Sequence, residues 1–477
     1  MADEDTAPAG SSQPLQEGTV IDGFVLQRKL HKGGMASLWD VRRVDGAQSL
    51  PLIMKIPRIK GGEDPATIVG FEVEQMVMPV LKGPHVPAFV AKGDFIRQPY
   101  IVMEHIEGES LRPRLDQAPL PIAEVTDIGQ KVAFALHELH KQHVVHLDVK
   151  PSNILFRPTG EAVLVDFGLS RHDHLPDLLE EEFSLPMGTG PYISPEQVQF
   201  VRNDPRSDLF ALGVMLYHLT TGVRPFGQPT TVAGLRKRLY TDPVPPRDHR
   251  PDTPPWLQEV ILRCLEVDPD KRYQSAAQLA QDLQHPEQIP LTERAQRTGT
   301  SGRLDTFKRW FKAIGAEPKS DASAGQLVER CPIIMVAIGV KNSTPALDKK
   351  LLGTVRRIMQ IETGARLACV SVMKTNRIGM DTLTDEQGNS LHVQQLVHIK
   401  HWARPLQQQL QLDEQRLTFH VLESPDTATA IVEFARKNQV DHIVMGARGN
   451  SALRRYLGSV SAQVVAEADC SVTVVRV

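Results

Sequence analysis

The sequence predicts a multidomain protein: a mixed α+β domain over residues 20–285, then an α/β doubly wound domain with a parallel sheet over residues 331–477. Three observations carry this. From Val20 to His285, short alternating apolar runs give way to longer helical patterns with no long polar break. Residues 286–330, which contain TERAQRTGTSGR and AEPKSDASAGQ, then interrupt the apolar pattern as a linker. Beyond them, short Val- and Ile-rich runs alternate with helical segments, the pattern of βαβ units around a buried parallel sheet.

In chain order, residues 1–19 are acidic and rich in small side chains, with too little apolar surface to offset the entropy of ordering, so they are expected to be disordered. They have neither the basic start nor the apolar core of a signal peptide. Inside the linker, Leu304, Phe307, Phe311 and Ile314 recur at helical spacing among basic residues. That predicts a short amphipathic helix docked on one of the domains, with a membrane-surface or partner-binding helix as the other reading. In the last domain PIIMVAIGV, ARLACVSV, RLTFHVL, DHIVMGA and SVTVVRV read as strands. ALDKKLLGTVRRIMQ, TAIVEFARKNQ and SAQVVAEA read as helices between them.

Bulk composition narrows the partners. Among 477 residues, 54 are Lys or Arg and 57 Asp or Glu, a formal charge of -3, so no global positive field points to nucleic acid or an anionic membrane. Apolar runs such as Leu209 to Leu219 are too short for a transmembrane segment. Cys264, Cys331, Cys369 and Cys470 lie far apart without metal-type spacing, which reads as free thiols in a reducing compartment. The expected location is cytoplasmic.

The chemistry concentrates in VVHLDVKPSNILF (Val144 to Phe156) and LVDFGLS (Leu164 to Ser170). Phosphoryl transfer needs a carboxylate beside the attacking hydroxyl, a cation near the transferred group and hard oxygen ligands for the metal on the phosphates. Asp148 can accept the hydroxyl proton, Lys150 can neutralise the γ-phosphate, and Asn153 with Asp166 can hold Mg²⁺ on ATP.

With these motifs the segment from Val20 to His285 resembles the protein kinase superfamily, specifically bacterial Ser/Thr kinases of the eukaryotic type, and the resemblance implies a bilobal α+β protein kinase fold. It implies that Lys55, in LIMK, contacts the α/β-phosphates. Glu74 is then the helix carboxylate pairing with that lysine, with Glu72 a neighbouring candidate. YIVMEHIEG resembles the hinge, Met103 being the gatekeeper and Glu104 to Ile106 offering backbone groups to adenine. GTGPYISPE resembles the end of the activation segment, so Glu196 should pair with Arg272 in a structural ion pair. Asp208 is then the buried aspartate behind the catalytic loop, and His146 a packing element beside Phe167. Lys150 with Thr189 resembles the Ser/Thr branch, and the substrates implied are protein Ser/Thr hydroxyls.

Two departures stand out. In LHKGGMASLW, His31 and Ala36 replace the outer glycines of the family's phosphate-covering loop, leaving Gly33 and Gly34. Side chains there should weaken the grip on nucleotide without abolishing the site. Leu147 stands where the family commonly has an arginine that meets a phosphate on the activation segment. Leucine makes no charge-assisted hydrogen bond, so activity is expected not to depend on phosphorylation of that segment, at Ser184 or Thr189, through this residue. A pseudokinase scaffold is the competing reading, and the joint retention of the four transfer residues weighs against it.

The C-terminal domain, from Cys331 to Val477, resembles the universal stress protein family through Gly446, Gly449, Gly458 and Ser459 ahead of SVTVVRV. Small residues at a strand-to-helix turn can present backbone N–H groups to phosphate, so these four mark a possible second nucleotide site. Gly339 replaces the aspartate that usually ends the first strand, and the gap between Gly449 and Gly458 is one residue short. A sensing or dimerisation module is therefore the favoured reading, with homodimers formed through the apolar last strand.

Overall fold

The computed structural model describes residues 15–32, 36–47, 50–59, 64–183, 185–299, 332–340, 343–375, 384–385, 388–413, 416–447 and 458–476. Gly33, Gly34, Ser184, Cys331, Gly449, residues 1–14 and the segment 303–315 lie outside these described residues. By contact the chain divides into two compact units, one drawn from residues 1–71, 90–105 and 324–477, the other from 72–89 and 106–323.

The first unit holds two sheets. One comprises β1 (Val20–Ile21), β2 (Phe24–Lys32), β3 (Ala36–Arg43) and β4 (Leu52–Pro57), then, after helix α1 (Pro65–Val77), β5 (Phe89–Gly93) and β6 (Tyr100–Glu104). Their order is β1-β2-β3-β4-β6-β5. Strand alternation sends Leu26, Trp39, Val41, Leu52, Met54 and Val102 into one core. Ile53 and Lys55 point to the opposite face of β4, where both are only partly covered. Order begins ahead of Val20: Leu15 packs on that core and the Gly18 N–H donates to the Leu26 carbonyl at 2.8 Å.

The second unit is largely helical. It runs through α2 (Arg112–Leu115), α3 (Ile122–His140), β7 (Val144–Val145), β8 (Ile154–Phe156), β9 (Ala162–Leu164) and β10 (Arg171–His172). There follow α4 (Leu178–Glu182), α5 (Pro195–Val198), α6 (Arg206–Thr221), α7 (Val232–Arg236), α8 (Pro246–His249), α9 (Pro255–Cys264), α10 (Ala276–Gln284) and α11 (Glu293–Gln296). Helix α6 is apolar around its whole girth and buried from Ser207 to Tyr217, making it the central helix of the unit. Val125, Ile128, Val132, Leu136 and Leu139 give α3 one apolar stripe, packed on α6 and α10. Pairing of β7 with β10 and of β8 with β9 frames the loop 146–153.

Residues 286–299 are folded onto this unit, although their composition reads as linker. Buried Glu259 accepts from Thr292 N, Thr292 Oγ1, Ala295 N and Arg294 Nη1, while Gln258 Nε2 donates to the carbonyls of Arg294 and Arg297. Beside buried Ile289 and Ala295, this anchoring is polar, and hydrophobic periodicity does not register it.

The other sheet of the first unit is parallel and five-stranded. It is built from β11 (Ile333–Ala337), α12 (Pro345–Ile361), β12 (Arg366–Lys374), α13 (Leu391–Leu410), β13 (Leu417–Ser424), α14 (Thr427–Lys437), β14 (His442–Gly446), α15 (Ser459–Glu467) and β15 (Ser471–Val475). The order is β13-β12-β11-β14-β15, the doubly wound arrangement expected from the βαβ pattern, and β15 is an edge. The order reverses between β11 and β14, and the carboxyl ends of two such strands form a natural crevice. Among the described residues no helix is long and apolar enough to cross a membrane.

Candidate active site

Asp208, near the start of α6 and 1% exposed, fixes the loop after β7. Its Oδ2 accepts from the His146 N–H and its Oδ1 from the Leu147 N–H, each at 2.9 Å, and His140 Nε2 lies 2.9 Å from Oδ2. The loop is thereby held with Leu147 at φ 62°, a left-handed conformation that a leucine adopts only under such restraint. The His146 ring has no nitrogen left over. Nδ1 accepts from the Asp148 N–H at 3.3 Å, Nε2 faces the Val165 carbonyl at 3.2 Å, and the ring sits 5.1 Å from that of Phe167.

Around Asp148, 7% exposed, four groups converge. Lys150 Nζ donates to Oδ2 at 2.6 Å and Asn153 Nδ2 donates to the same oxygen at 3.2 Å. Oδ1 accepts from Thr189 Oγ1 at 2.7 Å and from Thr189 N at 3.1 Å. Lys150 Nζ also donates to Thr189 Oγ1 at 3.1 Å. With Nδ2 spent on Asp148, Asn153 presents its Oδ1, which accepts from Ser152 Oγ at 3.3 Å. The β8–β9 hairpin brings Asp166 to the same end: the Val165 N–H donates to the Asn153 carbonyl at 3.0 Å, and Asp166 follows with φ 68°. An amide oxygen and a carboxylate at one hairpin end form a hard-oxygen donor pair that fits Mg²⁺.

The segment after Asp166 is tied down by charges that the motifs do not reveal. Arg202 Nε donates to Asp177 Oδ2 at 2.8 Å, and its Nη2 donates to the Leu169 carbonyl at 3.0 Å. Arg171 Nε lies 3.8 Å from the same Asp177 oxygen. Asp177 also caps α4, its Oδ1 accepting from the Glu180 N–H at 3.2 Å. Two arginines thus converge on one nearly buried carboxylate, while Leu147, 4% exposed, brings no charge.

Further along, Gly188 adopts φ 133°, and a Cβ there would lie 2.9 Å from Ile193 Cγ1, so only glycine fits without strain. Arg238, wholly buried, donates to the carbonyls of Gly190 at 2.8 Å and of Ile193, pinning the backbone around Thr189. Burial brings its guanidinium down to about 10, still charged at neutral pH. Glu196 and Arg272 form a two-pronged buried pair at 2.6 and 2.8 Å, and Ser207 Oγ adds a bond to Glu196 Oε1 at 2.8 Å. Neither Arg202 nor Arg238 falls in a recognisable motif. Arg202 lies in FVRNDPR and Arg238 in LRKRLY, so no local pattern flags either.

The remaining expected residues lie on other elements. Lys55 stands mid-strand in β4, opposite Leu38 and Ile101. Glu74 is on α1 and 1% exposed, and Glu72 is 9% exposed. Glu104 closes β6 opposite Leu52, and the Ile106 carbonyl accepts from the Gly108 N–H at 3.0 Å. In the C-terminal domain Gly446, Gly458 and Ser459 do come together, at a cavity of about 250 Å³ beside Gly339. Its described lining carries no charged side chain. A Cβ at Gly446 would meet Leu347 Cδ2 at 2.8 Å, whereas one at Gly339 would meet nothing within 4 Å.

Residues 63–286 match the protein kinase domain family and residues 332–476 the universal stress protein family. Serine/threonine-protein kinase PknL of Mycobacterium tuberculosis is 32% identical over 278 residues, spanning 58% of this chain and 68% of that protein. Serine/threonine-protein kinase PknB of Mycolicibacterium smegmatis is 32% identical over 267 residues, 55% of this chain and 42% of that protein. Among solved structures, the Mycobacterium tuberculosis PknI kinase domain aligns with TM-score 0.45 at 25% identity, covering 57% of this chain and 99% of that one. On the sequence matches, the chain belongs to the bacterial serine/threonine protein kinases and carries a C-terminal domain of the universal stress protein family.

Proposed function

We propose that the chain is an active kinase that transfers the γ-phosphate of ATP to protein Ser and Thr hydroxyls, its activation segment braced by ion pairs rather than by a phosphate. The observation that carries this reading is the cluster at Asp148. The Thr189 hydroxyl sits between a carboxylate oxygen at 2.7 Å and an ammonium at 3.1 Å, a geometry that would suit an acceptor hydroxyl. On this reading the acceptor oxygen displaces Thr189, attacks the γ-phosphorus and gives its proton to Asp148. The bond to the β-phosphate oxygen breaks and ADP leaves. Lys150 offsets charge on the transferring group, and Lys55, oriented by Glu74, holds the α/β-phosphates. Asn153 Oδ1 and Asp166 would hold Mg²⁺, which supplies positive charge on the phosphates when bound. Glu104 and Ile106 would take adenine through their backbones, and Gly33 and Gly34 would cover the phosphates.

The ion pairs from Arg202 and Arg171 to Asp177 support phosphate-independent order, because they supply the cation–anion tether that Leu147 cannot. The apolar edge strand β15 supports homodimers through the C-terminal domain. A cytoplasmic location completes the proposal and rests on the ATP requirement and the composition. The test is transfer of labelled γ-phosphate to a generic Ser/Thr protein substrate with Mg²⁺, comparing wild type with Lys55→Met. Label on Ser or Thr from the wild type alone is the expected result; equal incorporation by both proteins would sink the assignment.

A further inference from the structure

No motif or periodicity singles out helix α13, yet it reaches out of its own domain at two points. Its N-cap Ser390, 1% exposed, donates its N–H to the Ile59 carbonyl at 3.3 Å. Ile59 lies two residues past β4, the strand that carries Lys55, on the path to α1. Ten residues along the same helix, about 15 Å of rise, Lys400 Nζ stands 5.0 Å from the ring centre of Phe95 and 5.2 Å from that of Phe419 on β13. One ammonium is therefore shared by a ring from each domain, an arrangement that favours a cation and disfavours an anion.

Phe95 sits in the turn between β5 and β6, where a phenylalanine would ordinarily meet water, and it is 4% exposed. It also meets Phe71 edge-on, at 6.0 Å and 83°. Phe71 belongs to α1, one helical turn before Glu74. The two contacts of α13 therefore fall on the chain entering α1 and on the ring that packs against α1. On its inner side α13 is tied to the cavity wall: Gln395 Nε2 donates to Ser371 Oγ at 2.8 Å, which donates to the Ile338 carbonyl at 2.8 Å.

We propose that α13 is a docking surface whose partner is the chain's own six-stranded sheet β1–β6 with its connecting segments, and that Lys400, through Phe95 and Phe71, braces the helix bearing Glu74. Lys400 is a positioning residue. The consequence for ATP affinity rests on the kinase reading above, but the docking does not.

The experiment measures hydrogen exchange in the full chain for wild type, Lys400→Glu, Lys400→Arg and Phe95→Leu, with KM for ATP in parallel. Lys400→Glu is expected to speed exchange several-fold in residues 64–77 and 94–99, and to raise KM for ATP more than it lowers kcat. Lys400→Arg, which keeps a cation between the rings, should behave as wild type. Phe95→Leu, made on the opposite side, should speed exchange in residues 391–403. If Lys400→Glu unfolds its own domain, seen as fast exchange throughout 332–476, Phe95→Leu alone decides between docking and its absence. Changes confined to the mutated side in every folded variant would overturn the proposal. An inactive protein that still shows the reciprocal exchange pattern would overturn the kinase reading and leave the docking standing.

Discussion

At the scale of single residues, the proposed phosphate-independent order rests on the carboxylate of Asp177, paired with Arg202 at 2.8 Å and with Arg171 at 3.8 Å. A hydrogen bond to a charged group contributes about 1.5–3 kcal/mol. If that order is what the acceptor site requires, Asp177→Asn should lower phosphate transfer by about 10- to 150-fold, and Ser184→Ala should leave it unchanged. Steady-state kinetics on both variants checks this; a silent Asp177→Asn with an inactive Ser184→Ala would reverse the assignment. Gly339 offers a second residue-level prediction. Its position has room for a side chain and the described lining of the cavity beside it has no charged one, so Gly339→Asp adds a carboxylate without a clash. Calorimetric titration of ATP into full-length Lys55→Met protein should then show binding at the C-terminal cavity that the parent lacks. The residues that converge on Asp148 were legible because each belongs to a contiguous motif. Asp177, Arg202 and Arg238 were not, because their partners are backbone carbonyls or a carboxylate 25 residues away, and no local pattern records that.

At the scale of elements, α5 and α6 depend on one buried ion pair. Glu196 on α5 and Arg272 ahead of α10 bond at 2.6 and 2.8 Å with both side chains out of water. Removing one partner strands a buried charge, so Arg272→Ala should destabilise the kinase domain by about 3–5 kcal/mol, read as a lower denaturant midpoint. An unchanged midpoint would mean the pair carries no stability. The β-strands of the C-terminal domain were plain in the sequence, since continuous Val/Ile runs bounded by polar turns suit strands buried on both faces. Helix α13 was not: it contains Pro405 and ends in a glutamine-rich turn, both of which blur helical periodicity. Residues 286–299 were hidden for a related reason: beside buried Ile289 and Ala295 they are fastened by hydrogen bonds to Glu259 and Gln258, which no apolar pattern records.

At the scale of the whole molecule, composition and alternation alone predicted a mixed domain followed by a doubly wound one, and the family matches span 63–286 and 332–476. What joins them was not legible, because Ser390 to Ile59 and Lys400 to Phe95 are contacts over hundreds of residues. The edge position of β15 carries a prediction about assembly. The full chain should sediment as a concentration-dependent dimer, and Val472→Pro, which removes a donor from that edge, should give monomers. A wild-type chain that stays monomeric at high concentration would contradict it. The central claim remains the chemistry at Asp148, and single-turnover transfer from ATP by Asp148→Asn tests it most directly. The account predicts a fall of about 10²–10⁴-fold in the transfer rate, the usual contribution of a positioned proton acceptor, with ATP binding unchanged. A rate equal to that of the wild type would contradict it.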